Sequence, residues 1–232
     1  MWNGKNKALT LSFDDGAIQD VKAIEILNKY GLKATFNLNS GYLGTVGSCV
    51  YDGHTVIRDK VSSSKVRELY KNHEVAVHTV AHPNLTELGE EDIVYQVETD
   101  RRLLSELCGY EVHGMAYPCG GTNNDDRVAD VLKRRTEIKF SRTITSTHSF
   151  DLQDNLFRFN PTVYYLEADK MFELAEKFIS LKTDKPQLFY IWGHTYELDF
   201  GDNITWQKFE EFCKLVSNKS DIFYGTNSEI LL

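Results

Sequence analysis

The chain has 232 residues, of which 41% are hydrophobic and 26% charged, with a formal charge of −8. A chain of this length buries roughly 70–75% of its unfolded surface, enough for one sizeable core, so one domain over 1–232 is expected. The acidic balance argues against a nucleic-acid partner, which needs clustered Lys and Arg, and no run of about 18 apolar residues marks a membrane span.

From the amino terminus, Met1-Trp-Asn-Gly-Lys5 lacks the apolar stretch of a signal peptide. A cytoplasmic enzyme is therefore expected, with a trimmed secreted chain as the alternative. Residues 8–13 read as a buried strand. Residues 18–30 carry Ile18, Val21, Ile24, Ile26 and Leu27 at helical spacing, and Gly31 supplies the left-handed stop. Residues 33–39 form the next strand. The Gly-rich stretch 40–60 is long for a βα connection and is a candidate rim or lid. A short helix over 62–72 precedes a third strand at 74–80.

A long helix over 89–108 presents Ile93, Val97, Leu104 and Leu107 on one face and closes at Gly109. A strand at 112–117, a helix at 126–135 and a strand at 139–144 follow. Residues 146–155 are polar loop. Then come a strand (157–165), a helix (170–181), the strongly apolar strand 187–194, a helix (206–217) and a last strand (222–224). About seven βα units in one chain point to a barrel-like α/β domain. Cys49, Cys108, Cys119 and Cys213 are widely spaced, which suits neither a zinc ribbon nor a disulfide framework.

Three polar motifs fall where apolar strands stop, the place at which α/β folds gather their chemistry. The first is Ser12-Phe13-Asp14-Asp15-Gly16. Adjacent carboxylates would point to opposite sides of a continuing strand, whereas a turn at Gly16 would bring both into one pocket. There, one could bind a cation and the other take a proton from water. An ordinary Asp-Asp-Gly turn is the plain alternative. The second is His78-Thr-Val-Ala-His82-Pro83, where Pro83 keeps His82 out of the helical region. Two neutral imidazoles and one carboxylate make a three-ligand metal set with open positions, while two unrelated histidines are the plain alternative. The third is Trp192-Gly193-His194, whose imidazole is either a satisfied core group or a proton donor.

The first two motifs, in content, order and placement, resemble those of the polysaccharide deacetylases, the chitooligosaccharide-deacetylase homology domain. The resemblance runs from Leu9 to about the last strand. It implies a distorted (β/α) barrel of about seven strands and a divalent metal, usually zinc, with cobalt or nickel as alternatives. It also implies hydrolysis of acetyl groups on a sugar or oligosaccharide, N-acetyl before O-acetyl. By resemblance Asp14 is the base, Asp15, His78 and His82 are the metal ligands, and His194 is the general acid.

Two departures stand out. Ala116-Tyr117-Pro118-Cys119-Gly120 occupies the place of the family's third motif, with Ala116 in place of its arginine and Cys119 in place of its tyrosine. The resemblance leaves the Cys119 backbone N–H to hold the oxyanion; an activated thiol is not expected without an adjacent histidine. Arg142 is the candidate substitute for the arginine, pairing through a bidentate fork with Asp14, with a solvated surface charge as the plain alternative, and Arg158 is next in line. The aspartate that partners the last histidine in the family is not recognisable; Asp151 is the nearest candidate. Trp192, Tyr196 and Trp206 could stack on a sugar ring or pack in the core. Rival functions are a non-sugar amide hydrolase working without metal on this fold, an iron oxygenase, and a sugar-binding protein that has lost turnover.

Overall fold

The computed structural model describes residues 2–51, 53–201 and 203–232. Its centre is strand β1 (Lys7–Asp14), buried along its whole length. Alternation explains how a strand so deep can still carry chemistry. Leu9, Leu11 and Phe13 join the large apolar cluster under the helices, whereas Thr10, Ser12 and Asp14 face the other way. That polar row is satisfied by neighbours: Asn37 Nδ2 donates to Ser12 Oγ and to Asp14 Oδ1, both at 2.8 Å, and Thr10 Oγ1 donates to Asn227 Oδ1 at 2.9 Å.

The strand pairings of the main sheet are parallel. β2 (Ala34–Leu38), β5 (Glu74–Val77), β6 (Gly114–Ala116) and β7 (Phe140–Arg142) extend from one side of β1, while β9 (Gln187–Gly193) and β8 (Val163–Tyr164) extend from the other. β10 (Ile222–Tyr224) pairs with the first half of β1 (Lys7 opposite Ile222), and β2 pairs with its second half (Asp14 opposite Asn37). The result is a curled parallel sheet forming a half-barrel. The stretch around Phe159 nearly closes it. Phe159 bridges to Arg142 on the β7 edge, and Val163 pairs with Ile191 of β9 a few residues later.

Helices α1 (Asp20–Lys29), α3 (Glu90–Cys108), α4 (Asp126–Arg135), α5 (Ala168–Ser180) and α6 (Trp206–Val216) cover the outer face, with α2 (Val66–Leu69) a single turn and α7 (Asn227–Leu231) at the end. α3 closes on Gly109 with φ 81°, as its sequence predicts, and α4 opens with the Asp125 side chain accepting from the Val128 N–H.

Several boundaries differ from the sequence reading. Helix α1 starts two residues late, because the chain between Asp15 and Gln19 is committed to turns, and Ile18 before it and Val21 in its first turn are exposed. Residues 62–72 divide into a 3₁₀ turn and α2, and 157–165 keeps only two strand residues after a 3₁₀ turn at Leu156–Arg158. The long 40–60 connection contains an antiparallel hairpin, β3 (Ser48–Tyr51) with β4 (His54–Ile57). Tyr51 stacks on Phe200 at 4.2 Å, and Val56 packs with Ala17 and Tyr196. Among the described residues, no helix is long and apolar enough to cross a membrane.

Candidate active site

The site forms where β1, β5, β6 and β9 end. β1 stops at Asp14, and Asp15 turns the chain with φ 79°. The turn resolves the geometric question raised by adjacent carboxylates, because both Asp14 and Asp15 line one cavity of about 430 Å³. Thr79 (φ 69°), His82 (φ 54°) and Cys119 (φ 69°) adopt the same left-handed conformation around it. Each is costly for a residue with a side chain, and such positions concentrate where a site must be held in shape.

His78 is fully buried and its Nδ1 lies 2.9 Å from the Ala116 carbonyl, which fixes the N–H on Nδ1 and turns the Nε2 lone pair into the cavity. Burial pulls its pKa down to about 4, against the pull of Asp14, so the imidazole is neutral and free to ligate. His78 Nε2 lies 3.7 Å and His82 Nε2 3.5 Å from Asp15 Oδ1. Donor atoms from these three residues all fall within 4.8 Å of one another. One carboxylate oxygen and two imidazole nitrogens suit a divalent transition metal and leave positions for other ligands. The donor set therefore fits the metal that the sequence implies.

The other Asp15 oxygen is held from the hairpin side: Arg58 Nη2 donates to Oδ2 at 2.8 Å and Lys60 Nζ lies 3.7 Å away. Burial would raise the Asp15 pKa, but His194, Lys60 and the two ligand imidazoles outweigh it and keep the group well below the carboxylate range. Arg58 stacks over Tyr196 at 4.1 Å. No short-range spacing announces this arginine, since it reaches the site only through the hairpin.

Asp14 is buried against Arg142, whose side chain has no exposed surface. A single nitrogen, Nη2, sits 2.5 Å from both Asp14 oxygens, and Nη1 donates to the Thr143 carbonyl at 3.0 Å. The contact is thus end-on, not the two-nitrogen fork the sequence suggests, because the second arm is needed by the backbone. The guanidinium also lies 4.5 Å over the Trp192 ring. Burial would raise the Asp14 pKa; Arg142, His78 and His194 outweigh it and lower it. Arg158 lies elsewhere, bonded to Asn124 and Asp126.

His194 follows Gly193, against which Tyr165 packs so closely that a Cβ would sit 1.5 Å from its ring. Only glycine lets β9 deliver His194 at this point. The imidazole lines the cavity, and its Nδ1 lies 3.0 Å from Glu197 Oε1. Asp151 does not reach it: that side chain is exposed and bonded to Gln187 and Ser149. Trp192 and Tyr196 line the cavity, whereas Trp206 is bonded to Asp199 outside it. Cys119 lines the cavity too, its Sγ 3.7 Å from His82 Nδ1, and burial pushes the thiol pKa up, away from nucleophilic use.

Comparison with known proteins gives the fold and the family. The peptidoglycan-N-acetylglucosamine deacetylase PgdA of Listeria monocytogenes is 28% identical over 120 residues, 51% of this chain but only 22% of that protein's length. Among solved structures, a family 4 carbohydrate esterase from Streptomyces lividans in complex with acetate superimposes with a TM-score of 0.55 at 14% identity, covering 92% of this chain and 89% of that one. A family 4 pseudoenzyme from Bacillus anthracis superimposes with 0.56 at 17% identity, covering 98% and 66%. These likenesses show the fold, which active and inactive chains share. Residues 3–135 match the polysaccharide deacetylase family model, and the chain belongs to that family.

Proposed function

We propose that the protein is a metal-dependent hydrolase removing acetyl groups, N-acetyl before O-acetyl, from a carbohydrate. The observation that carries the reading is the convergence of three groups on one cavity. They are the Asp15–His78–His82 donor set, the Asp14–Arg142 pair and His194. A divalent cation held by Asp15, His78 and His82, zinc by preference with cobalt or nickel as substitutes, would supply Lewis-acid polarisation and acidify water.

The protein's own residues do the rest. Asp14, ionised and fixed by Arg142, accepts a proton from the attacking water as its oxygen bonds to the acetyl carbon. The Cys119 backbone N–H is assigned to the oxyanion that develops on the carbonyl. As the carbon–nitrogen bond breaks, His194 gives its cavity-facing proton to the departing amine. The pyranose would lie against Trp192 and Tyr196, whose rings form the apolar part of the cavity.

The test is acetate release from N-acetylglucosamine oligomers by zinc-loaded protein, abolished by chelation and restored by metal. Asp14→Asn is expected to keep its metal and to lose about 10²–10⁴-fold in turnover, the usual cost of a missing base. His78→Ala and His82→Ala are expected to fold and to lose metal by elemental analysis. An asparagine variant without metal would exchange the roles of Asp14 and Asp15. Sugar binding with no acetate release at full metal content would place the chain with the pseudoenzymes.

A further inference from the structure

The family's histidine partner is missing from its usual place in the sequence, yet His194 is not alone. Glu197 lies three residues on, in the short 3₁₀ turn Thr195–Asp199, and is buried. Its Oε2 accepts from the His194 backbone N–H at 3.0 Å, and its Oε1 lies 3.0 Å from His194 Nδ1. Tyr164 of β8 donates its hydroxyl to the same Oε1. Tyr164 in turn stacks on Trp192 at 4.3 Å, and the Tyr165 hydroxyl donates to the His194 carbonyl at 2.5 Å. Backbone, ring and carboxylate are therefore all fixed from within one loop and one neighbouring strand.

We propose that Glu197 is the positioning residue for His194, taking over from within the last motif the part that the missing aspartate would play. The inference rests on the deacetylase reading only for its catalytic consequence. With Oε1 accepting from Nδ1–H, the imidazole is held with Nε2 as the atom free to exchange a proton at the cavity. The proton balance is complete. Doubly protonated His194 loses Nε2–H, the leaving nitrogen gains it, Nδ1–H stays on Glu197, and Glu197 remains a carboxylate throughout.

The electrostatics agree. Burial pulls the His194 pKa down, but Glu197, by charge and hydrogen bond, and then Asp15 and Asp14 from the end of β1, outweigh it and raise it to about 9. Tyr164 and Tyr196 also face the ring and are neutral, their phenols pushed up chiefly by burial. Glu197→Gln keeps the shape and an acceptor for the backbone N–H while deleting the charge.

The experiment follows zinc-loaded wild type and Glu197→Gln by ¹H–¹⁵N spectra of the imidazole nitrogens, with His194→Gln to assign the signal, alongside rates from pH 5 to 10. The expected result is a wild-type His194 with its Nδ1 protonated throughout and a titration that falls by one pH unit or more in Glu197→Gln. The basic limb of the rate profile should move with it and kcat fall about 10–100-fold at unchanged KM. A neutral wild-type His194 that carries its proton on Nε2 and not on Nδ1, read from the ¹⁵N shifts, would overturn the proposal, whether or not the variant folds. So would a glutamine variant that only melts earlier with its limb and His194 titration unmoved, since a pure turn-capping role predicts that. If wild type releases no acetate while the titration still moves, the deacetylase reading fails and Glu197 keeps its role.

Discussion

Arg142 and Asp14 are 128 positions apart in sequence and in direct contact in the fold. That contact is the residue on which the base depends. Removing Arg142 leaves a buried carboxylate without its counter-charge, a change that typically costs about 3–5 kcal/mol. Arg142→Ala is therefore expected to lower stability in urea by that order and to raise the Asp14 pKa, shifting the acidic limb of the rate profile upward. Turnover should drop roughly 10²-fold, as for a base displaced by about 1 Å. Arg142→Lys restores a charge but not the bond to Thr143 O or the stacking on Trp192, and should fall between the two. An unmoved acidic limb in Arg142→Ala would show that Asp14 does not need the guanidinium. The missing motif arginine and the place of Arg142 near a strand end made the pairing legible, although β6, β5 and β2 lie between the two strands and only the curl of the sheet brings Arg142 to Asp14. Its end-on form was not, since nothing in sequence records that the Thr143 carbonyl claims the other arm.

At the scale of elements, α3 carries a signal that its amphipathic pattern contains but does not explain. Asp100 stands three residues after Val97 and four before Leu104, in the middle of the apolar stripe, and is fully buried. Its Oδ1 accepts from the Ser40 N–H at 2.7 Å and its Oδ2 from the His78 N–H at 3.1 Å. Asn39 holds the His78 and Thr79 carbonyls from the other side, and so the helix and the β2 loop together clamp the left-handed turn that presents His78. Asp100→Leu would complete the stripe and take the acceptor from the Ser40 N–H, at a cost of about 1–3 kcal/mol, while the His78 N–H would keep only the Leu38 carbonyl at 3.0 Å. The expected outcome is a lower melting temperature and metal affinity weakened about 10–100-fold, measured by zinc titration. Affinity equal to wild type would remove the clamp from the account. The sequence reading passes over both Asp100, whose signal is a polar residue inside an apolar stripe, and Glu197, whose signal is a glutamate three residues after a strand-ending histidine. Arg58 was not readable, because the Gly-rich connection over 40–60 gives no register until the hairpin is seen.

For the molecule as a whole, buried titratable groups act in opposite directions over the same pH range. Burial raises Asp20 to about 7 despite hydroxyl donors from Thr195 and Tyr70, and it moves Asp100 likewise to about 7. Burial lowers His73, with help from Lys33, to about 4, and also lowers His78 to about 4. Between pH 4 and 7 the native aspartates hold protons that the unfolded chain has released, so their contribution to stability is lost as pH rises. Over the same range up to about 6.5 the unfolded imidazoles hold protons that the native ones do not, so theirs is gained. Each acts at an order of about 3–4 kcal/mol and the two trends oppose, with Glu74, also raised by burial, adding to the falling side. Chelator-treated wild type should therefore melt at a temperature that declines only modestly from pH 4.5 to 6.5. Asp20→Asn removes one falling contribution and should make the melting temperature climb by roughly 5–10 °C across that window. His73→Asn removes one rising contribution and should tilt the profile the other way. Parallel profiles for wild type and Asp20→Asn would mean that Asp20 is ionised in the folded protein, with the Tyr70 and Thr195 hydroxyls sustaining its charge.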